Sequence, residues 1–376
     1  MKNVSVITPA YNQSHYLGEA IQSVLLQTYP EFEIVVVDDG STDGTAEVAQ
    51  SFQDARIRYL YQENRGLSAA RNTGIQNSNG EYLTFLDSDD KFLPDKLAIL
   101  VKELESHPDI CLAAGQAIPI DEMGKSIGKT FDKPIPGDLR QLLMGNPLHV
   151  GSVLLRRSCQ QEVGYFDETL RSYEDWDMWL RLARNGCRMT WIPRPVSYYR
   201  FHTAQMTRIG GQMTKATFAV LDNVFDDPDL PESWKTFRLQ AYSNAYLRAA
   251  AQAYLAKDFQ HASDDLRQAI TLNPELITGN AHVLADHFLA WTDLPKVADP
   301  LTFLDEIFAH LPDEATLLKR NRREHLGRAA IQIAFQSYLS GDYRTTRTAV
   351  LRAIKNKPQL VINRGVLSIF LRSSFR

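Results

Sequence analysis

The chain has 376 residues, of which 44% are apolar and 23% are charged, and its formal net charge is −4. This length and composition are typical of a globular protein with two domains and a sizeable core. The small negative charge gives no electrostatic reason to expect nucleic-acid binding. The N-terminal residues lack the apolar stretch of a signal peptide, and no window is long and apolar enough to span a bilayer. We therefore expect a cytoplasmic location.

The three cysteines, Cys111, Cys159 and Cys187, lie far apart in the sequence and form no C-x-x-C pair. Their odd number and wide spacing argue against a disulfide framework and against a structural zinc site. The pattern suits a reducing compartment.

Strand patterns alternate with helix patterns in the first part of the chain. β-branched or continuous apolar runs predict strands at residues 4–8, 33–37, 57–62 and 81–86. Apolar residues at three- and four-residue spacing predict helices at residues 12–27, 46–52, 66–77 and 94–105. This order predicts a doubly wound, mostly parallel α/β sheet, whose ligands bind outside the carboxyl ends of its strands.

Three of these strands end in residues that suit a ligand site. Thr8-Pro9-Ala10 ends the first strand, Asp38-Asp39 the second and Asp87-Ser88-Asp89-Asp90 the fourth. Crowded carboxylates repel one another unless a cation or hydrogen-bond donors compensate them. Such hard oxygen ligands suit Mg²⁺ or Mn²⁺ bridging to substrate phosphates. The last motif alone is equally compatible with solvated acids that cap the following helix.

Other nucleotide and metal motifs are absent or incomplete. No G-x-G-x-x-G follows the first strand, and no Walker-type Gly-Lys-Ser/Thr is present, which argues against a nicotinamide or P-loop site. The run from Asp39 to Gly44 is similar to the start of an EF-hand loop. Its twelfth position is Gln50 instead of a glutamate, so we reject that interpretation.

Seven motifs, taken in order, resemble those of the family 2 glycosyltransferases, whose fold is the nucleotide-diphospho-sugar-binding GT-A type. They are Thr8-Pro9-Ala10-Tyr11-Asn12, residues 37–45 (VDDGSTDGT), residues 64–72 (NRGLSAARN), Leu86-Asp87-Ser88-Asp89-Asp90, residues 164–168 (GYFDE), residues 174–181 (EDWDMWLR) and Tyr199-Arg200-Phe201-His202. Any one of them is modest evidence, whereas the ordered set is strong.

The resemblance implies a donor-binding set formed by Pro9, Ala10, Tyr11, Asn12, Asp39, Ser41, Arg71, Asp87 and Ser88. Pro9, Ala10 and Tyr11 would wall the base and ribose, and Asp39 would accept a hydrogen bond from the base, because a carboxylate offers two acceptor oxygens. Arg71 would direct a cation at the pyrophosphate. The alternatives are a strand terminator at Pro9, a solvated helix arginine at Arg71 and turn or cap roles for the acids. We assign Asp43 to a cap.

The resemblance also implies a divalent cation, Mn²⁺ or Mg²⁺, with Asp89 as its principal ligand and His202 as a second contact. Asp87 and Asp90 would support Asp89, and the expected donor substrate is a UDP-sugar. Without the family pattern, a histidine in the aromatic stretch 198–201 would more often be a packed, hydrogen-bonded residue.

The resemblance further implies that Asp175 is the general base that takes a proton from the acceptor hydroxyl, with inversion at the anomeric carbon. A helix is expected from residue 174 to residue 185. Glu174 and Asp175 would then lie in its first turn, where the helix dipole favours any acid. Asp177 has an alternative role too, as an i,i+4 partner of Arg181.

Residues 110–160 carry no motif that identifies an acceptor. The stretch before a predicted strand at 153–155 could line the acceptor pocket, with His149 as a candidate contact, although a structural histidine is the commoner case. The Gly-, Lys- and Pro-rich stretch 121–138 is typical of a mobile loop over the site.

The composition changes after the first domain, which we place at residues 1–225. Residues 226–235 are polar and proline-punctuated, as in a linker, and residues 236–376 are rich in alanine and predict helices. Residues 252–259 and 336–343 align as an internal repeat that resembles tetratricopeptide helix pairs. This smaller all-α domain either packs against the catalytic domain or forms a platform for a partner or acceptor.

Residues 355–376 contain five basic residues and no acid, interspersed with large apolar ones. This pattern favours a basic amphipathic helix, and peripheral contact with the inner face of the membrane is our hypothesis for it.

The leading interpretation is an inverting, metal-dependent transferase that moves a sugar from a nucleotide-diphosphate sugar to a glycan or lipid-linked glycan. A nucleotidyltransferase would need basic residues in the loop after the first strand, and residues 11–14 supply none. The alternative from another class is a helical-repeat interaction protein with an inactive sugar-nucleotide domain.

Overall fold

The computed structural model describes residues 3–202, 210–294 and 296–375. The chain divides into two compact units, Met1–Arg238 and Leu239–Arg376. Residues 226–235, which the sequence predicts as a linker, lie inside the first unit, where Leu230 and Trp234 are buried.

The first unit contains a mixed sheet of eight strands. These are β1 (Val4–Ala10), β2 (Phe32–Asp39), β3 (Ile57–Gln62), β4 (Tyr82–Phe85), β5 (Lys91–Phe92), β6 (Ile110–Ile120), β7 (Val153–Arg156) and β8 (Arg188–Arg200). Their order in the sheet is β3-β2-β1-β4-β7-β6-β8-β5. The strands β3, β2, β1 and β4 are mutually parallel, and β7 runs antiparallel to β4 and β6. The predicted alternation of strands and helices is therefore confirmed in the parallel half.

The helices of the first unit are α1 (Leu17–Leu25), α2 (Thr45–Gln50), α3 (Leu67–Gln76), α4 (Lys96–Ser106), α5 (Arg157–Val163), α6 (Glu174–Arg184), α7 (Gly210–Phe225) and α8 (Glu232–Lys235). Successive residues of β1 alternate between two apolar clusters. Val4 and Val6 belong to the cluster that includes α1 and α4, whereas Ile7 belongs to the cluster that includes α6. Both faces of the sheet are thus covered, as parallel strands require.

The strands β1 and β2 extend past their predicted ends, so that Pro9, Ala10, Asp38 and Asp39 lie within them. In the register of β1 with β4, the last pair is Ile7 with Phe85. Beyond that pair, β1 has only β2 as a strand neighbour among the described residues. The side of Pro9 that faces away from β2 therefore needs no N–H to donate to a neighbouring strand. The carboxyl ends of β1, β2 and β4 consequently meet at one edge of the sheet.

The expectation that the cysteines form no disulfide is wrong. Cys111 in β6 and Cys159 in α5 form a disulfide with a Cα–Cα distance of 6.0 Å. They meet because β6 pairs with β7, and α5 follows β7 directly in the chain. The sulfur of Cys187 lies within 4.8 Å of both, but the disulfide leaves Cys187 as the single thiol of this group, so the three cysteines do not form a thiolate metal site. Burial raises the pKa of the Cys187 thiol to about 11, so that thiol stays protonated at neutral pH.

The segment 121–138, predicted as a loop, has no regular secondary structure but folds back on β6. Isolated bridges join Ala117 to Phe131 and Ile120 to Ser126. The backbone carbonyl of Glu122 also accepts a hydrogen bond from Arg200. The segment is therefore attached to β6 and β8 at several points.

The second unit is all-α in its described residues, as predicted. Its helices are α9 (Arg238–Leu255), α10 (Phe259–Leu272), α11 (His282–Trp291), α12 (Pro300–Ala309), α13 (Thr316–Arg320), α14 (Arg322–Ser340), α15 (Tyr343–Asn356) and α16 (Arg364–Ser374). One apolar cluster connects them, and it is rich in alanine where helices approach closely.

The internal repeat in the sequence is also a repeat in structure. The pair α9–α10 turns at Lys257-Asp258, and the pair α14–α15 turns at Gly341-Asp342. Lys257 and Gly341 both have positive φ, 60° and 83°, and each ends its helix in the same way. Asp258 and Asp342 each cap the second helix by accepting a backbone N–H three residues later.

Candidate active site

The carboxylate of Asp39, at the end of β2, is held by three donors. One oxygen accepts hydrogen bonds from Gln62 Nε2 at 2.7 Å and from the Arg65 N–H at 2.9 Å, and the other accepts from the Gly66 N–H at 2.8 Å. These donors hold the side chain in one orientation. A carboxylate has about four acceptor positions, so one remains for a ligand.

The ends of β1 and β2 are clamped together by Asn12 and Ser41. The N–H of Asn12 donates to Ser41 Oγ at 2.9 Å, and Asn12 Oδ1 accepts from the Thr42 N–H at 2.8 Å. Asn12 adopts a left-handed backbone conformation (φ 53°), which asparagine tolerates better than most residues. Next to this clamp Ala10 is buried, while the Tyr11 side chain is half exposed and available to a ligand.

Two other acids at this edge have local roles. Asp38 accepts the Ser41 N–H at 2.8 Å and the Tyr59 hydroxyl at 2.7 Å. Asp43 accepts the N–H groups of Ser14 and Thr45, both at 3.0 Å. Both carboxylates are occupied by the turn, as the alternative interpretation expected.

Arg71 occupies a position that the sequence did not indicate. Its side chain is only 1% exposed, and its guanidinium donates to Asp87 Oδ1 at 2.6 Å and to Glu174 Oε1. Burial disfavours its charged form, but Asp87 and Glu174 outweigh burial and raise the pKa of Arg71 above its usual value. Through these two contacts Arg71 joins the end of β4 to the start of α6. Its direct contact with a pyrophosphate stays a prediction.

Asp89 and His202 lie together, as predicted. His202 Nε2 is 2.8 Å from Asp89 Oδ2, and His202 is buried beside the ring of Tyr16. The neighbouring Ser88 is buried, and Asp90 is buried too, with His149 Nε2 3.0 Å from its Oδ2. Burial raises the pKa of Asp90 to about 7, against the opposing effect of His149. His149, a candidate sugar contact, is therefore engaged with Asp90.

Arg200 is a central residue that the sequence reasoning quoted but did not single out. It is fully buried and donates to the backbone carbonyls of Asp89 at 2.7 Å and Glu122 at 2.8 Å. It also pairs with Glu19 at 2.9 Å and lies over the ring of Tyr16. The signal was present in the Tyr-Arg-x-His motif, where the arginine precedes the expected ligand histidine by two positions.

Asp175 lies in the first turn of α6, as predicted. Its Oδ1 accepts the Trp176 N–H at 2.7 Å, and its Oδ2 accepts Asn146 Nδ2 at 2.9 Å. Tyr173, directly before α6, has a left-handed backbone (φ 61°) that turns the chain into the helix. Burial, followed by the charge of Glu174, raises the pKa of Asp175 to about 7. A carboxyl group with this pKa can exchange a proton near neutral pH.

Asn146 is the second residue that the sequence reasoning missed. Its Oδ1 accepts the Leu148 N–H at 3.0 Å, which orients the amide so that Nδ2 donates to Asp175. Asp177, by contrast, pairs with Arg181 Nε at 2.9 Å, as its local interpretation expected.

The donor atoms beside β4 fit a divalent cation. Asp89 Oδ2 and His202 Nε2 are close enough to bind one ion, and a carboxylate oxygen with an imidazole nitrogen suits Mn²⁺. Two protein ligands are few, but such ions commonly complete their coordination with substrate phosphates and water.

Comparison with known proteins identifies the family. The family model described as Glycosyl transferase family 2 matches residues 5–156, and the model described as Glycosyl transferase family group 2 matches residues 82–262. A putative teichuronic acid biosynthesis glycosyltransferase, TuaG of Bacillus subtilis, is 30% identical over 230 residues, which are 58% of this chain and 86% of TuaG. The chain belongs to glycosyltransferase family 2.

One of the other relatives is longer than this chain. An uncharacterized glycosyltransferase of Rickettsia felis is 40% identical over 182 residues, which are 48% of this chain and 30% of that protein. The chain thus spans less than a third of that relative's length.

Solved structures share the fold. S. aureus TarS 1–349, in complex with UDP-GlcNAc, has a TM-score of 0.58 at 21% identity, over 81% of this chain and 90% of that one. Mannosyltransferase PcManGT from Pyrobaculum calidifontis, in complex with GDP-Man and Mn²⁺, has a TM-score of 0.53 at 20% identity, over 84% and 86%. These likenesses confirm the expected GT-A type fold. Among the described residues, no helix is long and apolar enough to cross a membrane.

Proposed function

We propose that the protein is an inverting, metal-dependent glycosyltransferase that moves a sugar from a nucleotide-diphosphate sugar to an acceptor hydroxyl of a glycan or lipid-linked glycan. The observation that carries this proposal is the link from Asp87 through Arg71 to Glu174. It connects the acids that follow β4 with the helix turn that bears Asp175. A donor site and a proton acceptor would thereby be held at a fixed separation, as a two-substrate reaction requires.

At the donor end, Asp39 would accept a hydrogen bond from the base, and Pro9, Ala10 and Tyr11 would wall the base and ribose. The three donors on Asp39 and the Asn12–Ser41 clamp support this assignment, because they hold the pocket in place before a ligand binds. The structures of TarS with UDP-GlcNAc and of PcManGT with GDP-Man support a nucleotide-sugar donor in general. A UDP-sugar remains our expectation for this chain.

At the diphosphate, Asp89 and His202 would hold Mn²⁺ or Mg²⁺, with Asp87 and Ser88 alongside. A bound divalent cation would neutralise charge on the departing nucleoside diphosphate. Arg71 would act on this region through Asp87, as a positioning residue, and Arg200 would hold the Asp89 backbone through its carbonyl.

At the acceptor, Asp175 would take the proton of the attacking hydroxyl. The acceptor oxygen forms the new bond to the anomeric carbon while the bond to the diphosphate breaks, and the nucleoside diphosphate departs with that electron pair. Because attack comes from the side opposite the leaving group, the configuration inverts. A pKa of about 7 lets Asp175 hold the proton that it receives.

The test is nucleoside-diphosphate release from a panel of UDP-, GDP- and dTDP-sugars, together with donor binding measured calorimetrically, each with and without Mn²⁺. We expect one donor class to bind, with tighter binding when Mn²⁺ is present. Asp89→Asn should remove the effect of Mn²⁺ on binding. Asp54→Asn, which changes a partly exposed carboxylate paired with Arg56, is the matched control and should retain it.

Two outcomes contradict parts of the proposal. If no sugar nucleotide binds or is turned over, the interaction-protein alternative is favoured. If donor binding and turnover are the same with and without Mn²⁺, the metal assignment of Asp89 and His202 is wrong while the transferase assignment stands.

A further inference from the structure

The helix α16 packs through only one of its faces. Val366, Ile369 and Ser373 are its buried residues and point into the second unit. With 3.6 residues per turn, the opposite face carries Leu367, Leu371 and Phe375, each four positions after the last. Leu371 is 54% exposed and Phe375, directly after the helix, is 86% exposed. A surface helix ordinarily places polar residues on its outer face, so packing within the unit does not explain this exposed apolar stripe.

Arginines flank the stripe on the same side of the helix. Arg364 and Arg372 are both exposed, and no ion pair is recorded for either within the described part of the chain. We use the name outer face of α16 for Arg364, Leu367, Leu371, Arg372 and Phe375. The preceding turn adds Ile362, which is 80% exposed.

The sequence around this face contains cations and no acid. From residue 343 to residue 375 there is no aspartate or glutamate. Within this segment Arg352 pairs with Asp305, and Lys357 lies 3.8 Å from Glu324. Lys355 is exposed on α15, and Arg344, also exposed, lies beside Asp342 at the start of that helix. The local charge is therefore strongly positive, although the whole chain is acidic.

Further apolar surface lies beside the start of α16. Gly365 faces Phe335 of α14, since a Cβ at Gly365 would be 3.6 Å from the Phe335 ring. Leu339, one turn further along α14, is 84% exposed. The exposed apolar surface is therefore not confined to one helix.

We propose that the outer face of α16 docks on an anionic lipid bilayer, with its apolar residues in the headgroup boundary and its arginines among the phosphates. Helices that lie in this boundary combine an apolar stripe with lysine and arginine on the flanks, and each basic residue adds attraction to anionic lipid. This inference goes beyond the proposed reaction and does not depend on it.

Two other occupants fit the face less well. In a symmetric contact with a second copy, the same arginines would face each other with no acid between them, which opposes association. Nucleic acid would be attracted by the charge but gives Leu371 and Phe375 no apolar environment, because its outer surface is phosphate and sugar.

The test is co-sedimentation of the full chain with vesicles of phosphatidylcholine, either alone or with about 30% phosphatidylglycerol. That fraction of anionic lipid is enough to create a negative surface potential. We expect binding only to the anionic vesicles, weakened by added salt because exposed charges are screened. The double variants Leu371→Ser with Phe375→Ser and Arg364→Gln with Arg372→Gln should each lower the partition coefficient roughly tenfold or more.

Matched controls are Val283→Ser on α11 and Arg323→Gln on α14, an exposed valine and an exposed arginine outside the acid-free segment. Both should bind vesicles like the parent chain, and all variants should keep the parent's thermal unfolding. Equal binding to both vesicle types, or variants that bind like the parent, would overturn the proposal. A different result would also overturn it: the parent chain self-associates in analytical ultracentrifugation, the Leu371→Ser, Phe375→Ser variant does not, and neither protein binds vesicles.

Discussion

The two units of the chain treat charge in opposite ways. In the described part of the first unit, charged side chains are buried in numbers, among them Asp38, Asp39, Arg71, Asp90, Glu174 and Arg200. In the described part of the second unit, the buried polar residues are Ser243, Thr292, His325, Thr346 and Ser373, without a carboxylate, lysine or arginine. Burying a charge costs free energy unless it is paired and hydrogen-bonded, and a fold gains little from it. The buried charges of the first unit therefore fit a role in the proposed reaction, whereas the interior of the second unit is mainly apolar packing.

The largest expected effect is that of Asp175→Asn in the first unit. We expect transfer to fall by a factor on the order of a hundred to ten thousand, because the amide cannot accept the acceptor's proton. Donor binding should remain, since Asp175 lies at the acceptor side of the proposed site. The measurement is steady-state product formation together with calorimetric donor binding.

The control for this change is Asp177→Asn, which alters an acid of the same helix that pairs with Arg181. It should retain activity within a few-fold. If the Asp175→Asn variant transfers sugar at the full rate, Asp175 is not the general base.

The comparison of the units is sharpest in two arginines, each placed between two acids. Arg71 contacts Asp87 and Glu174 and is 1% exposed, whereas Arg267 in the second unit contacts Asp264 and Glu314 and is 41% exposed. Arg71→Met should lower the free energy of unfolding by about 3–5 kcal/mol, because two carboxylates lose their buried partner. Arg267→Met should cost about 1 kcal/mol or less, because water solvates the acids.

Urea titration of both variants at low and moderate salt checks this prediction. Equal losses of stability in the two variants would show that burial does not determine how much each arginine contributes to stability. If the Arg71→Met variant keeps the stability and activity of the parent chain, Arg71 does not link the donor side to the proposed base.

These contacts also mark where sequence reasoning stops. The strands β1 to β4 and β7, the edge shared by β1, β2 and β4, the Asp89–His202 pair and the position of Asp175 followed from periodicity and family motifs. The strands β5, β6 and β8 were not predicted. The Arg71–Glu174 pair joins residues 103 positions apart, and no local pattern reveals which of several acids a buried arginine will choose. The Cys111–Cys159 bond was missed for the same reason, because spacing along the chain does not report that β6 and β7 are neighbours.

A smaller effect is expected from Asn146→Ala. Asp175 must be deprotonated to act as a base, so the rate should fall below its pKa of about 7. The Asn146 N–H stabilises the carboxylate, and its removal should raise that pKa and shift the acidic limb of the kcat profile to higher pH by about one unit, equivalent to about 1.4 kcal/mol. The pH–rate profiles of the parent and variant test this; a uniform loss of rate without a shift would indicate only a packing role.

The smallest effects concern the repeat in the second unit. Asp258→Ala and Asp342→Ala each remove a side-chain cap at the start of a helix and should each lower stability by about 1 kcal/mol. Donor turnover should not change, because neither residue belongs to the proposed site. Denaturant titration tests the stability of both variants, and nucleoside-diphosphate release tests their turnover. Clearly unequal losses of stability would show that the two turns are not energetically equivalent.

The position of residues 121–152 in the sheet has a consequence for how such an enzyme can be altered. This segment leaves β6 after Ile120 and returns in β7, whose first residue Val153 pairs with Ala114, well before the end of β6. The disulfide between Cys111 and Cys159 fastens the same two flanks from outside the segment. Because the segment is also bridged to β6 at Ala117 and Ile120, a replacement from a relative must reproduce these attachments as well as the two ends. Since Asn146 lies within the segment and contacts Asp175, an exchange would change the surroundings of the proposed base. The exchanged segment must keep the Glu122 carbonyl in place, because Arg200 binds both that carbonyl and the backbone of Asp89.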